Sequence, residues 1–233
     1  MLYTILKFYL EVIMFHRKKV NNILRKARRI DKKYEIFGVS RHHYKLNCPV
    51  NKEFVHKVEE KYHFILPKDY AQFITEVGDG GAGPEYGIYP FGKILTKGKT
   101  PRIQKRYEEY RYSLGREFLP QPLLLKEYEL ELLEINFEFD KQCYKQNPQI
   151  YFIYENDTDL CDTDGFLELG TNGIWWFGLI TCGKRYGQIF ETDRGGIYRF
   201  VAYSFTEFYQ NWLNSISNTQ KFHKTLNFWK RTI

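Results

Sequence analysis

Apolar residues along the chain switch between helical and strand spacing, and the switches mark out its elements. Over residues 16–33, HRKKVNNILRKARRIDKK, Val20, Ile23, Leu24, Ala27 and Ile30 share one helical face and Lys/Arg occupy the rest. Residues 34–50 have no period and are punctuated by Gly38 and Pro49, which predicts a linker. Asn51 is a good N-cap for a helix that turns Phe54, Val55, Val58 and Tyr62 inward. Pro67 suits the first turn of a second helix, where its missing N–H costs nothing, with Tyr70, Phe73, Ile74 and Val77 on its core face. Gly78 is expected to close that helix in the left-handed conformation. With Gly80, Gly81 and Gly83 it predicts a mobile turn before an extended segment over 86–91.

The second half reads mainly as strands. Residues 107–117 suggest a short exposed helix, and 123–139 fit no single period. Residues 150–154, IYFIY, predict a buried strand, followed by a turn-forming NDTDLCDTDG. GFLELGTNGIWWFGLI and RYGQIFET then predict strands punctuated by Gly170, Gly173, Gly183 and Gly187. Adjacent Trp175 and Trp176 should point to opposite faces. Ser204 caps a final helix with Phe205, Phe208, Tyr209, Trp212, Leu213 and Ile216 at helical spacing, and Glu207 completes a capping box.

The first fifteen residues are apolar, yet Lys7 and Glu11 interrupt a run already shorter than the roughly 20 residues a spanning helix needs. With no basic n-region or small-residue cleavage site, export is not expected. Leu2, Ile5, Leu6, Tyr9 and Ile13 share a face suited to lying on the domain or on a membrane, and Met14 offers an alternative start.

Composition sharpens this picture in two places. Four isolated cysteines, Cys48, Cys143, Cys161 and Cys182, form no CxxC pair and fit free thiols in a reducing cytoplasm. The net charge of +7 is uneven: residues 1–33 hold ten of the 35 Lys/Arg and two of the 28 Asp/Glu, so they carry +8 and the remainder −1. Basicity is therefore a property of the N-terminal segment. Arg17, Lys18, Lys19, Arg25, Lys26, Arg28 and Arg29 make that segment a candidate for binding nucleic acid or an anionic membrane, against the plainer reading of a solvated helix docked by its apolar stripe.

No motif with catalytic or cofactor chemistry survives its context. Gly78, Gly80 and Gly83 satisfy G-x-G-x-x-G, but the motif follows a helix and opens a strand, the reverse of a dinucleotide site. Asp157, Asp159, Asp162 and Asp164 precede Gly165, but registering that glycine on a calcium loop puts Leu160 and Thr171 at ligand positions. His42, His43, His56 and His63 lack paired zinc spacing, and no Ser or Cys sits in a nucleophile motif. The expectation is a chain with no cofactor, no metal and no catalytic site.

The order of Glu59 or Glu60, Leu66-Pro67, Asp69-Tyr70, Phe73, Gly80-Gly81, Tyr86 and Tyr89 resembles the SUKH superfamily, many of whose bacterial members are immunity proteins against secreted toxins. The later Gly170-x-x-Gly173 turn, the strands around it and the closing helix are similar to the second part of that pattern, so the resemblance covers about residues 51–216. It implies an α+β fold: a single SUKH-like domain with a mostly antiparallel sheet flanked by helices. Before it lie a basic helical extension (1–33) and a linker (34–50); a tail (217–233) follows. The function implied is a cytoplasmic immunity protein that binds and neutralises a cognate polymorphic toxin domain stoichiometrically. Since the superfamily also resembles fungal cell-wall-synthesis regulators, a regulatory or adaptor module is the alternative. Leu66, Pro67, Tyr70, Phe73, Gly80 and Gly81 are expected to hold the fold. Asp79, Glu85, Tyr86, Tyr89, Asp157, Asp159, Asp162, Asp164 and Trp176 are the candidate partner-binding residues, since Tyr and Trp anchor interfaces and acidic loops steer basic partners.

Overall fold

The computed structural model describes residues 15–91, 110–119, 164–193 and 197–217, with the backbone of 121–122 and 151–153. Helix α1 (Arg17–Ile30) forms on the predicted period, and Val20, Leu24 and Ala27 are buried. These three belong to the same core cluster as Tyr70, Phe73 and Tyr209, so the basic helix is an integral layer of the core. Phe15, just before it, sets its ring edge-on to Phe73 and Tyr209 at 5.7 and 5.4 Å.

Residues 34–50 are more ordered than their lack of period predicts. They carry a short helix α2 (Val39–His42) and a bridge from Leu46 to Gly81. Asp31 anchors the turn after α1: its buried carboxylate accepts from Glu35 N–H at 2.8 Å and from the Tyr44 hydroxyl at 3.0 Å. A buried carboxylate persists only when such donors replace water.

Helix α3 (Lys52–Tyr62) starts where Asn51 predicts, with Asn51 Oδ1 accepting from Glu53 N–H at 2.8 Å. Val55, Val58 and Tyr62 are buried, but Phe54 is exposed, since four apolar residues span a wider arc than the contact covers. Helix α4 (Lys68–Gln72) follows Pro67 and runs on into a widened turn, Phe73–Val77. There Gly78 N–H donates to Phe73 O at 3.0 Å, five residues back. The widening changes the exit, and Gly78 lies at φ 178, extended rather than left-handed as expected.

Among the described residues six strands form one sheet, β1 (Gln121–Pro122), β2 (Tyr151–Ile153), β3 (Phe166–Thr171), β4 (Trp176–Ile180), β5 (Ile189–Thr192) and β6 (Ile197–Ala202). Their order is β1-β2-β6-β5-β4-β3, and every pairing is antiparallel. The fold is α+β. Pro122 sits in the edge strand, where the missing N–H is tolerated. Strand β6 has no counterpart in the sequence reading.

The two sheet faces carry different cores. Leu167, Leu169, Phe177, Leu179, Ile189 and Ala202 join the helix-side core, against which α5 (Phe205–Ser217) packs Phe205, Phe208 and Tyr209. Ser204 Oγ accepts from Glu207 N–H at 3.0 Å, and the Glu207 carboxylate reaches back to Tyr203 N–H at 2.9 Å, one residue before the expected donor. On the other face Phe118, Phe166, Ile180, Phe190 and Tyr198 form a smaller, mainly aromatic cluster. Of residues 107–117, read as a short exposed helix, the described part is helical over 110–113, but it is partly buried and sewn to the sheet. Gly165 N–H donates to Ser113 O at 2.8 Å, Thr181 Oγ1 to Leu114 O at 2.7 Å, and Glu168 N–H to the Tyr110 hydroxyl at 2.8 Å.

Candidate protein-interaction face

The glycine stretch, expected to be mobile, is held on both sides. Gly81 and Ile88 exchange reciprocal N–H···O bonds of 2.8 and 2.9 Å, and Ala82 N–H donates to Lys45 O at 2.7 Å. Gly80 and Gly81 lie at φ 72 and 92, and a Cβ on Gly81 would overlap the Lys45 carbonyl oxygen. Glycine is required here because the chain turns left-handed where a neighbouring backbone closes on it. Asp79, a candidate for partner contact, is buried at 8% exposure and accepts from Phe91 N–H at 2.6 Å. Its carboxylate braces the loop, so it is corrected from a surface residue to a structural one.

The loop then runs along the outer edge of β3, with Tyr86 N–H donating to Thr171 O at 3.3 Å and Tyr89 N–H to Leu169 O at 2.6 Å. Glu85 is exposed at φ 53, and Tyr86 and Tyr89 are half-buried. The turn at Gly38 (φ 79) packs so closely on Glu85 that a Cβ there would overlap the Glu85 carbonyl. This contact brings Phe37, itself exposed, to 5.2 Å from the Tyr86 ring, and the Arg41 guanidinium from α2 lies 5.4 Å from the same ring. Exposed Phe37 and Arg41 thus flank the half-buried Tyr86 ring in a ring-and-guanidinium cluster on a hydrogen-bonded base.

The β3–β4 hairpin tip adjoins it. Asn172 Oδ1 accepts from Ile174 and Trp175 N–H at 2.9 and 2.8 Å, which fixes a tip whose Ile174 is 59% exposed. A Cβ on Gly173 would lie 3.3 Å from the Tyr86 hydroxyl, so that ring reaches the tip. Trp175 is half-buried under the Arg199 guanidinium at 5.2 Å, and Arg199 also pairs with Glu191 across β5 and β6. Trp176, the tryptophan named from sequence, lies in register with Thr192 and Tyr198 on the opposite sheet face, half-buried.

The acidic loop does not join this face through its described end. Asp164 pairs with Arg116 at 3.6 Å before the start of β3, whereas Tyr86 bonds the last residue of β3. The six residues of β3 separate them by roughly 20 Å. Asp157, Asp159 and Asp162 lie outside the described residues. Phe37, Arg41 and Ile174 escaped the sequence reading. The first two sit in a segment without period, and only the pairing of Gly38 with a bulky neighbour hinted at a fixed turn.

Leu66, Pro67, Tyr70 and Phe73, expected to hold the fold, are all buried. Beneath the cluster, burial next to His43 pushes the His42 imidazole down to about 4. Its Nδ1 accepts from Tyr44 N–H at 3.1 Å, so a proton placed there would face another N–H. Burial beside the Asp31 carboxylate pushes the Tyr44 hydroxyl up, which keeps it a donor. On the far side of α1, Arg17, Lys18, Lys19, Arg25, Lys26, Arg28 and Arg29 are all exposed.

No protein-family model matches the chain, and no curated protein matches it. Among the described residues no group of three His, Cys, Asp or Glu side chains is placed to hold a metal ion. Among the same residues no helix is long and apolar enough to cross a membrane.

Proposed function

We propose that this protein binds another protein through the Phe37–Arg41–Tyr86 cluster and the adjoining hairpin tip, and that the partner is a toxin domain which it neutralises as a cytoplasmic SUKH-type immunity protein. The observation that carries the binding part is the cluster itself: the exposed Phe37 ring, the half-buried Tyr86 ring and an exposed arginine, held on a base that leaves little conformational freedom to lose on association. The toxin part is supported by the resemblance of residues 59–89 and 166–216 to SUKH proteins, since the same stretch supplies Tyr86 and its brace. Neutralisation of this kind needs occlusion of the toxin and no reacting group on the binder.

The test is capture from nuclease-treated lysate of the native organism with wild-type protein and an R41A/Y86A variant, followed by expression of the captured partner. A partner retained one-to-one, lost at least tenfold by the variant, and growth-inhibiting unless the wild-type protein is co-expressed is the expected result. Equal capture by the variant rejects this face, and a harmless partner rejects immunity.

A further inference from the structure

The outer surface of α1 is a second candidate surface, remote in chemistry from the aromatic cluster. Helical periodicity directed by the buried Val20, Leu24 and Ala27 turns Lys18, Arg25, Lys26 and Arg29 outward, and the row continues into exposed Lys32 and Lys33. From Lys18 to Arg29 it spans about 16 Å. The helix contains no acidic residue, and the first carboxylate after it, Asp31, is buried and occupied by Glu35 N–H and the Tyr44 hydroxyl. Among the described residues none of these cations takes part in an ion pair. Arg25 donates to Asn22 and to Asn21 O, both neutral acceptors.

Most of the charge does not serve the helix, since only Arg28 and Arg29 stand in the last turn, where the macrodipole favours cations. Arg17, Lys18 and Lys19 stand in its first turn, where the macrodipole disfavours cations, and Arg25 and Arg29 repel at i,i+4. Nor does it serve insertion into a bilayer, because the apolar stripe that would enter lipid is spent on the core. A row of cations with no ion pair among the described residues, on a helix docked by its apolar stripe, matches a row of phosphates.

We propose that this face binds the phosphate backbone of nucleic acid, independently of base sequence. The probe is a fluorescein-labelled 20-base-pair DNA duplex, titrated with the full chain between 50 and 200 mM salt, with single-stranded DNA of one of its strands as a second arm. Neutralising about four phosphates gives a log–log salt slope of about −3.6 on the duplex and about −2.8 on the single strand. K18Q/R25Q/R29Q leaves the buried stripe untouched and should weaken binding at least tenfold, whereas K52Q/K57Q/K61Q on α3, with the same change in charge, should alter it less than twofold.

A flat salt dependence of the wild-type protein overturns the proposal whatever the variants do. Equal losses in the two triple variants overturn it as well. Stronger binding to phosphatidylserine vesicles than to duplex at matched phosphate overturns it in favour of a membrane surface.

Discussion

Single residues set two properties that can be measured directly. His42 is buried neutral, with Nδ1 accepting from Tyr44 N–H and its pKa lowered to about 4 by burial and His43. The unfolded chain therefore takes up a proton first as pH falls, near the ordinary histidine value of about 6.5. The stability this group contributes is complete above that value and is lost as pH falls toward 4, by an amount of order 3 kcal/mol. Urea unfolding at pH 7.5 and 4.5 should show this loss in the wild type and a smaller one in His42→Gln. An unchanged difference between the two pH values would remove His42 from the acid response. Gly81 tests the brace: at φ 92, with no room for a Cβ beside the Lys45 carbonyl, Gly81→Ala should destabilise by about 2 kcal/mol or more. Urea midpoints at pH 7.5 read that loss.

At the scale of elements, α1 is docked by its apolar stripe, as the plainer of its two sequence readings had it. Its period and stripe were legible, because Val20, Leu24 and Ala27 at helical spacing declare a buried face whatever they are buried against. What they meet was not legible, since a stripe specifies apolar contact and no particular partner. The structure seats it on Phe73 and Tyr209 through Phe15 and on α5, so α1 is part of the core cluster. Leu24→Ala should cost about 2–5 kcal/mol, the range for a buried leucine, and shift the thermal midpoint of the whole protein. A shift confined to a separate early transition would make α1 an independent appendage. Deleting residues 1–33 would remove the same buried side chains. Questions about the cations are therefore better put to charge-neutral substitutions than to truncation.

The whole molecule carries the two proposed binding surfaces on one fold. The sheet separates a helix-side core from a smaller aromatic cluster, and its two tryptophans, one residue apart, fall on opposite sides. The Phe37–Arg41–Tyr86 cluster and the α1 cations differ in chemistry, one of rings and one guanidinium, the other of exposed positive charge. The two binding assays should accordingly separate: R41A/Y86A should leave duplex affinity within twofold of wild type, while K18Q/R25Q/R29Q should leave partner capture intact. Loss of both activities in either variant would show that the surfaces act as one.

Local chemistry written in neighbouring residues was available from the sequence alone. It gave the Asn51 and Ser204 caps, the helical stripes, the β3 and β4 strands with their Gly173 turn, and the concentration of charge in residues 1–33. Periodicity and capping act over a few residues, so they can be read without knowing the fold. The tertiary structure decided what depends on segments distant in the chain. It buried Asp79, widened the end of α4, sewed residues 110–119 to the sheet, and joined Phe37 and Arg41 to Tyr86 across more than forty residues. A side chain's exposure depends on which distant backbone closes over it, and no local pattern encodes that.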